Sequence, residues 1–587
     1  MKITIINTTF SELARFPPVG SLSIIKYLRK NGLEAEFINV DYYRYNVDQT
    51  LDKIIENGTE ILGISAVTST TYRFVKDLSI KFKALKPNSL IVLGGNMAAS
   101  AEIVLNKTKI DICALGEGEK VFYNIVKKAM NTRNLMEYAD IPGIVFNDDN
   151  GKMINTGYEK YIDEEDMYEV DLSDFKETTP FYIADVFDKN GEVLYPYFKY
   201  DKRTYEPHRK NKTFFNLMIG KGCVARCTFC HRWDKGIKHI PVKVLMKRLD
   251  ELIEKYNVGF LLPYMESVGS DKKWFEEFCY ELKKRDILWY VGSVRARSVN
   301  EQMVHMMKDC GCTTIFYGLE TGSEKMLSVM EKKTSLQDNI NAHQWTVDVG
   351  FYTTLIQLVL AMPGENSSTV KETLKFTSNC YTLNKNLNPL IFSINFAQAL
   401  PGTPLYEYGR KVGLIGTSVD EEEKYLLYVS DKDASAVESM LNFTEFPMGI
   451  VLSWKYIIYC GTISAFVKKF GVMQLVNNHH NTSSLRRKRS KKDDLIFKSK
   501  TACRIILYVI LYKLRFFLPI FVLIKDYKRL GNRKTLNYFV ELFLYILKLK
   551  RNKRETSFDK SLRKIVKDDL PSITSDIPEM EPLRKGR

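Results

Sequence analysis

The sequence predicts three segments in series: an N-terminal doubly wound, flavodoxin-like parallel α/β sheet, a central (β/α) barrel, and an α-helical C-terminal region. Three observations carry this expectation. Short apolar runs alternate with helical patterns over residues 1–125, and the same alternation resumes over 212–405. Beyond residue 441 strand signals give way to long apolar and basic runs. With 587 residues, 45% hydrophobic and 27% charged, the chain suits two or three domains with sizeable cores, which excludes a disordered polymer.

Residues 1–130 form the first predicted domain. KITIINT reads as a buried strand and LSIIKYLRKNG as a helix closed by Gly32. EAEFINV, ILGISAV, LIVLGG and IDICALGEGE read as further strands, separated by the helical patterns QTLDKIIENG and YRFVKDLSIKFKALKP. Ligands of such sheets sit beyond the C-terminal strand ends. Those ends carry Ser65, Gly94, Gly95 and the turn Gly116-Glu117-Gly118-Glu119. Glycines there either admit a ligand close to the backbone or simply make turns. Residues 131–211 read as a connection with turn signals, DDNG at 148–151 among them, from which some strands are expected to extend.

Residues 212–440 are the second α/β unit. About six strand–helix repeats run from FFNLMIGKG to LIFSINFAQALPGT, enough for a full or partial barrel with its site at the C-terminal strand ends. Residues 441–587 form the helical region. The run at 505–524 has the length of a membrane span. Lys513 and Arg515 lie within it, at a cost of about 2.5–3.5 kcal/mol each at a bilayer centre, and Pro519 interrupts the helix. A second apolar run, 538–549, contains Glu541, and the basic clusters RRKRSKK and KLKRNKR flank both. Two readings follow: segments lying in the interface of an anionic membrane, or a helical domain with a solvated basic face.

The net charge of +16 is concentrated in the tail. Residues 481–587 hold 28 Lys and Arg against 11 Asp and Glu, whereas the rest of the chain holds 58 against 59. The first 480 residues are therefore expected to bind no nucleic acid. The opening MKITIINTTF has none of the features of a secretory leader, and ten cysteines in a chain of this length make no disulfide framework. A cytoplasmic protein, peripheral on the inner face of a membrane, is the expectation.

Three cysteines stand out. GKGCVARCTFCHRW places Cys223, Cys227 and Cys230 at C-x3-C-x2-C directly after the first barrel strand. Thiolates are the usual ligands of iron–sulfur clusters, and three ligands on a [4Fe–4S] cube leave one iron open. Zinc with His231 as fourth ligand competes less well, because adjacent residues 230 and 231 cannot easily share one tetrahedral centre.

The C-x3-C-x2-C loop, with Phe229 before its last cysteine, resembles the signature of the radical S-adenosylmethionine (SAM) superfamily. Met265-Glu266-Ser267-Val268, Arg295, Gly318-Leu319-Glu320-Thr321-Gly322, Met362-Pro363-Gly364-Glu365 and Leu400-Pro401-Gly402-Thr403-Pro404-Leu405-Tyr406 end successive strands in the family's order. The resemblance implies a cluster on the three cysteines. It further implies SAM contacts from Glu266, Ser267, Arg295, Glu320 and Glu365, with Glu266 near the amino group and Glu320 near the ribose. The chain departs from the pattern at Met265, where relatives usually have Asp, at Arg297, often Asp, at Ala361, Gly before Pro-Gly-Glu, and at Val224, frequently Pro.

Residues 1–130 resemble the cobalamin-binding domain that precedes many radical SAM modules. Pro17-Pro18-Val19-Gly20, Ile64-Ser65, Val92-Leu93-Gly94-Gly95 and Gly116-Glu117-Gly118-Glu119 carry the likeness. It implies a corrinoid lying across these strand ends. The first histidine of the chain is His208, so this domain offers cobalt no histidine ligand.

The resemblance implies a class B-like cobalamin-dependent radical SAM enzyme that methylates an unactivated carbon through a 5′-deoxyadenosyl radical. Its cofactors would be a [4Fe–4S] cluster, SAM and cobalamin, and its partners a small-molecule or lipid substrate and a flavodoxin or ferredoxin. Ring closure or rearrangement is the alternative within this architecture. An RNA methylthiotransferase would need three further cluster cysteines in the first domain, where only Cys113 occurs. A non-catalytic membrane-associated iron–sulfur or corrinoid sensor would not need the SAM motifs. No side chain is singled out as catalytic.

Overall fold

A computed structural model describes residues 1–9, 16–159, 162–172, 182–230, 236–351, 355–432, 436–482 and 491–547. His231, most of the basic cluster at 486–492 and residues 548–587 lie outside the described residues.

Seven strands form the first sheet: β1 (Ile3–Asn7), β2 (Glu36–Ile38), β3 (Ile61–Ser65), β4 (Leu90–Gly94), β5 (Ile112–Ala114), β6 (Ile144–Asn147) and β7 (Met153–Asn155). Their order is β2-β1-β3-β4-β5-β6-β7, with β1 to β5 parallel and β6 and β7 an antiparallel edge. Successive side chains point to opposite faces, so Leu62, Ile64 and Leu93 enter one core and Ile5, Ile61 and Val92 the other. Chain direction around the sheet reverses between β1 and β3, and this opens a crevice at their C-terminal ends, where Asn7 and Ser65 are register partners.

The second sheet contains β8 (Ala184–Asp185), β9 (Thr213–Met218), β12 (Val258–Tyr264), β13 (Leu288–Val294), β14 (Cys312–Glu320), β15 (Leu355–Leu360) and β16 (Ser393–Phe396). Between β9 and β12 lies a small antiparallel hairpin, β10 (Gly220–Cys223) with β11 (Gly236–His239). The large sheet runs β16-β15-β14-β13-β12-β9-β8, six parallel strands in chain order plus one antiparallel edge. Its two end strands do not pair, so the barrel is partial. Residues 131–211 thus supply edge strands to both sheets, β6 and β7 to the first and β8 to the second.

The C-terminal region is helical and joined to the barrel. Helix Met448–Phe470 packs on helix Ser367–Tyr381, and Gly461 permits the approach: a Cβ there would lie 2.6 Å from Leu374. Helices Lys491–Lys513, Leu518–Lys525 and Asn532–Ile546 cover its other side. Met448–Phe470 is long and apolar enough to cross a bilayer, but more than half of its apolar stretch is buried inside the protein. The apolar run at 505–524 is not one straight helix. It breaks at a 3-10 turn, Arg515–Phe517, and bends by 84°, with Pro519 in the first turn of the next helix, where its missing N–H costs nothing. Glu541 turns inward and accepts a hydrogen bond from the Met448 N–H at 3.4 Å, placing negative charge at a helix N-terminus.

Helix Val419–Val429 touches all three units. Its Glu423 binds Lys76 and accepts from the Tyr72 hydroxyl at 2.9 Å, and Asp420 pairs with Lys107, all in the first domain. Its Tyr425 hydroxyl donates to Ala399 O at 2.7 Å in the barrel, and its Tyr428 hydroxyl accepts from Lys534 of the tail at 2.8 Å.

Candidate functional site

The cysteine loop begins at β10. Gly220 lets the two hairpin strands close, since a Cβ there would sit 2.4 Å from Lys238 O, and Gly222 turns left-handed at φ +82°. Cys223 ends β10, and its sulfur accepts from the Ala225 N–H at 3.3 Å. Thr228 then pins the loop. Its hydroxyl donates to Val329 O at 3.0 Å, its N–H donates to Met330 O at 3.0 Å, and its carbonyl accepts from Leu405 N at 2.9 Å. The cysteine loop is therefore tied to the segments that follow the Gly-Leu-Glu-Thr-Gly and Leu-Pro-Gly-Thr-Pro motifs.

Cys227 is buried and Cys230 exposed. Burial pushes the Cys227 thiol up, against the pull of the Lys332 and Arg295 cations, while Glu320 and Cys223 add to the rise. These groups therefore stand within electrostatic reach of one another. Glu320 ends β14 with φ +60° and accepts from Lys332 Nζ at 2.6 Å, both side chains nearly buried. Burial opposes the Lys332 charge, but Glu320 and Cys227 outweigh it and hold the ammonium above its ordinary range. The two glycines of the motif have separate causes. A Cβ at Gly318 would lie 2.6 Å from the Glu320 carboxylate, and one at Gly322 would lie 2.3 Å from Phe376 Cβ.

The remaining expected SAM contacts are spread along the strand ends. Glu266 Oε2 accepts from the Gly222 N–H at 2.9 Å, so this carboxylate steadies the turn before Cys223. Ser267 is buried, with its hydroxyl 2.6 Å from that of Ser270. Arg295 donates from Nη2 to Lys332 O, while its buried Nε has no partner among the described residues. Glu365 is buried beyond β15, and Oε2 accepts from the Ala361 N–H at 2.5 Å. Its Oε1 is likewise unpartnered among the described residues, and burial pushes the carboxyl up to about 8. Lys332 belongs to none of the motifs in the sequence, and its place beside Glu320 comes from the fold alone.

In the first domain Ser65 lines a cavity of about 200 Å³, together with Asn7 and Asp41 from the same domain and Asn216, Met218 and Tyr264 from the barrel. The cavity thus lies between the strand ends of the two sheets, and among the described residues no histidine lines it. A Cβ at Gly94 would meet nothing within 4 Å, whereas one at Gly95 would lie 2.5 Å from Ala66 O and one at Gly116 1.9 Å from Glu159 O. Gly95 and Gly116 are thus required by the protein's own backbone, and Gly94 faces open space. Gly118 opens the helix Gly118–Ala129. Glu117 is not among the residues that line the cavity: its buried carboxylate pairs with Lys221 of β10 and with Lys238 of β11, the latter at 3.1 Å.

Among the described residues no three His, Cys, Asp or Glu side chains converge as the ligands of a single metal ion. The donor set instead suits larger groups. Three thiols share one pinned loop, and unpartnered Arg295 Nε and Glu365 Oε1 lie at strand ends of the same sheet.

An α/β domain of flavodoxin order, facing a partial barrel that carries C-x3-C-x2-C after its first parallel strand, defines a corrinoid-type radical enzyme architecture. Residues 217–377 match the radical SAM superfamily and residues 12–126 the B12 binding domain. The chain thus joins a B12 binding domain to a radical SAM domain. It is similar to the anaerobic magnesium-protoporphyrin IX monomethyl ester cyclase of Rubrivivax gelatinosus, 25% identical over 375 residues, which are 62% of this chain and 62% of that protein. An uncharacterized methyltransferase of Pyrococcus horikoshii is 26% identical over 357 residues, 60% of this chain and 69% of that one. The chain spans about three-fifths of the length of the curated cyclases it matches. Among solved structures, the cobalamin-dependent S-adenosylmethionine radical enzyme OxsB with aqua-cobalamin bound shares the fold, with a TM-score of 0.59 at 16% identity over 99% of this chain and 82% of that one.

Proposed function

We propose that this protein is a cobalamin-dependent radical SAM enzyme that transfers a methyl group to an unactivated carbon of a small-molecule or lipid substrate. One observation carries the reading: the C-terminal strand ends of the two domains meet at a single cavity, with Asn7 and Ser65 on one wall and Asn216 and Tyr264 on the other. When bound, the cluster supplies an electron that cleaves SAM to a 5′-deoxyadenosyl radical, and cobalamin supplies a methyl carrier.

The protein's own part is to hold, orient and exclude water. Cys223, Cys227 and Cys230 would hold the cluster, with Thr228 fixing their loop. Glu266 keeps the hairpin turn in place through the Gly222 N–H, and a carboxylate there suits an ammonium group. Glu320 and Lys332 form a polar pair beside the thiols that suits hydroxyl and carboxylate groups. Arg295 keeps its buried Nε donor for an anion. Glu365, neutral near pH 7, can donate from Oε1 as well as accept. Ser65 and the Pro17–Gly20 segment would line the corrinoid face, with Gly94, the register partner of Ser65, beside them, while Phe16, Val67 and Tyr264 give the cavity an apolar wall. A reduced flavodoxin or ferredoxin would be the electron donor.

Ring closure is the second reading, favoured by the names of the cyclases to which the chain is similar. Anaerobic reconstitution with iron, sulfide, cobalamin and SAM, followed by mass spectrometry of cell extracts, separates the two. A substrate gaining one CH2 unit supports methyl transfer, and a product without added methyl carbon supports cyclisation. Replacing any one of Cys223, Cys227 or Cys230 by Ala should abolish reductive SAM cleavage, since a three-thiolate site has no spare ligand. Cys279→Ala, Cys310→Ala and Cys312→Ala should leave it intact. Loss of the cluster in one of these three variants, with the first three unaffected, would overturn the assignment.

A further inference from the structure

The outer surface of the C-terminal region takes no part in the reaction proposed above. Each of its covering helices has two faces. Inward, Ile505, Val522, Leu523 and Leu542 are buried. Outward, Ile506, Ile510 and Leu514 form a stripe at helical spacing that reaches Phe516 and Phe517, 80% and 58% exposed, at the 84° bend. Leu536, Val540 and Phe543 repeat the pattern on helix Asn532–Ile546. Water-soluble surfaces seldom leave so many large apolar side chains in rows.

Charge identifies what covers them. Residues 491–547 contain 12 Lys and Arg against 4 Asp and Glu. Three of those acids are engaged elsewhere: Glu541 at the Met448 N–H, Asp526 in the protein interior, and Asp494 with His480 and Lys498. Lys513, Arg515, Lys525, Lys528, Arg529 and Arg533 stay exposed along the apolar stripes. An apolar face edged by long cationic side chains matches the boundary between acyl chains and anionic headgroups, where Lys and Arg stems lie on the apolar layer and their charges reach the phosphates.

We propose that this face docks on an anionic lipid bilayer and lies in its interface without crossing it. The bend and the two cations beside it suit a segment lying in the headgroup layer, and the helix Met448–Phe470 is occupied as the shared core of barrel and tail.

Flotation of the full-length protein tests this, using vesicles of phosphatidylcholine alone and of phosphatidylcholine with about 30% phosphatidylglycerol. The protein should float with the anionic vesicles, and much less with the neutral ones. About 0.5 M salt, which shortens the Debye length well below its value near 10 Å at 0.1 M, should release most of it. The pairs Phe516→Ser/Phe517→Ser and Val540→Ser/Phe543→Ser, at exposed positions that spare the core, should each lower partitioning about tenfold or more. Their melting temperatures and circular dichroism should match the parent. Three results overturn the proposal: a parent protein that ignores both vesicles, variants that float as well as the parent, or a lipid-free dimer in light scattering that the Phe pair abolishes. The last would make the face an interface between copies of this chain.

Discussion

Ala361 turns left-handed at φ +65°, a conformation that costs a residue with a Cβ roughly 1–2 kcal/mol. The family pattern has glycine there, and the backbone angle explains why. In this chain the Glu365 carboxyl holds the turn by accepting from the Ala361 N–H. That side chain carries a pH signature, because burial raises its folded pKa from 4.5 to about 8. Between those values the folded state binds a proton that the unfolded state has lost, so stability falls as pH rises, at up to about 1.4 kcal/mol per pH unit. Below the window both states are protonated and above it neither is, so this contribution is flat at both ends. Glu365→Gln should remove that slope in the ligand-free protein. Melting temperatures of both forms at about pH 5.5 and about pH 8.5 measure it, and equal slopes would show that Glu365 is not buried as a neutral acid. At this scale the C-x3-C-x2-C spacing and the Gly-x-Glu motif are legible as patterns, because each is local. Lys332 is not, since its role depends on a partner at the end of another element.

Among the elements, the hairpin β10/β11 shows where sequence reading stops. Its cysteine spacing points to a cluster, but nothing local reveals that Lys221 and Lys238 bind Glu117, a residue expected to face a corrinoid. Lys221 and Glu117 are 104 residues apart, and their side chains are 5% and 2% exposed. Removing one partner of a pair this buried typically costs about 3–5 kcal/mol, whereas apolar replacement of both can be nearly neutral. Glu117→Ala should therefore lower the melting temperature by several degrees, and Glu117→Leu/Lys221→Met should recover much of the loss. A single variant as stable as the parent would refute this account of the tie. The same limit applies to β6, β7 and β8. Strands of two to four residues are too short to display a period of two, so residues 131–211 read as a connection although they edge both sheets. The long apolar strands of each sheet, each followed by a helix, had no such ambiguity.

For the whole molecule, the two parallel sheets follow from repeated alternation along the chain and the helical tail from the loss of strand signals, whereas the strand order, the opening of the barrel and the packing of tail on barrel do not. The missing histidine bears on the molecule as a whole, because a cobalt ligand could come from either wall of the shared cavity, and among the described residues no histidine lines either wall. Cobalamin bound to the full-length protein should be base-off with no protein nitrogen on cobalt. Electron paramagnetic resonance of the cobalt(II) form should show no nitrogen triplet splitting, and clear triplets would refute this.

Helix Val419–Val429 has a mechanical consequence. It clamps the first domain at Lys76 and Lys107, while Glu117 pins the same domain to the cluster hairpin at a second place. Leu22 packs into the barrel core and Lys30 pairs with Asp166, so the domain is moored along a whole side. A large ligand then meets the Phe16 and Tyr264 rings, 5.7 Å apart, as a turnstile at the cavity. Phe16→Ala should speed cobalamin uptake, and an unchanged uptake rate would mean that the ligand enters elsewhere.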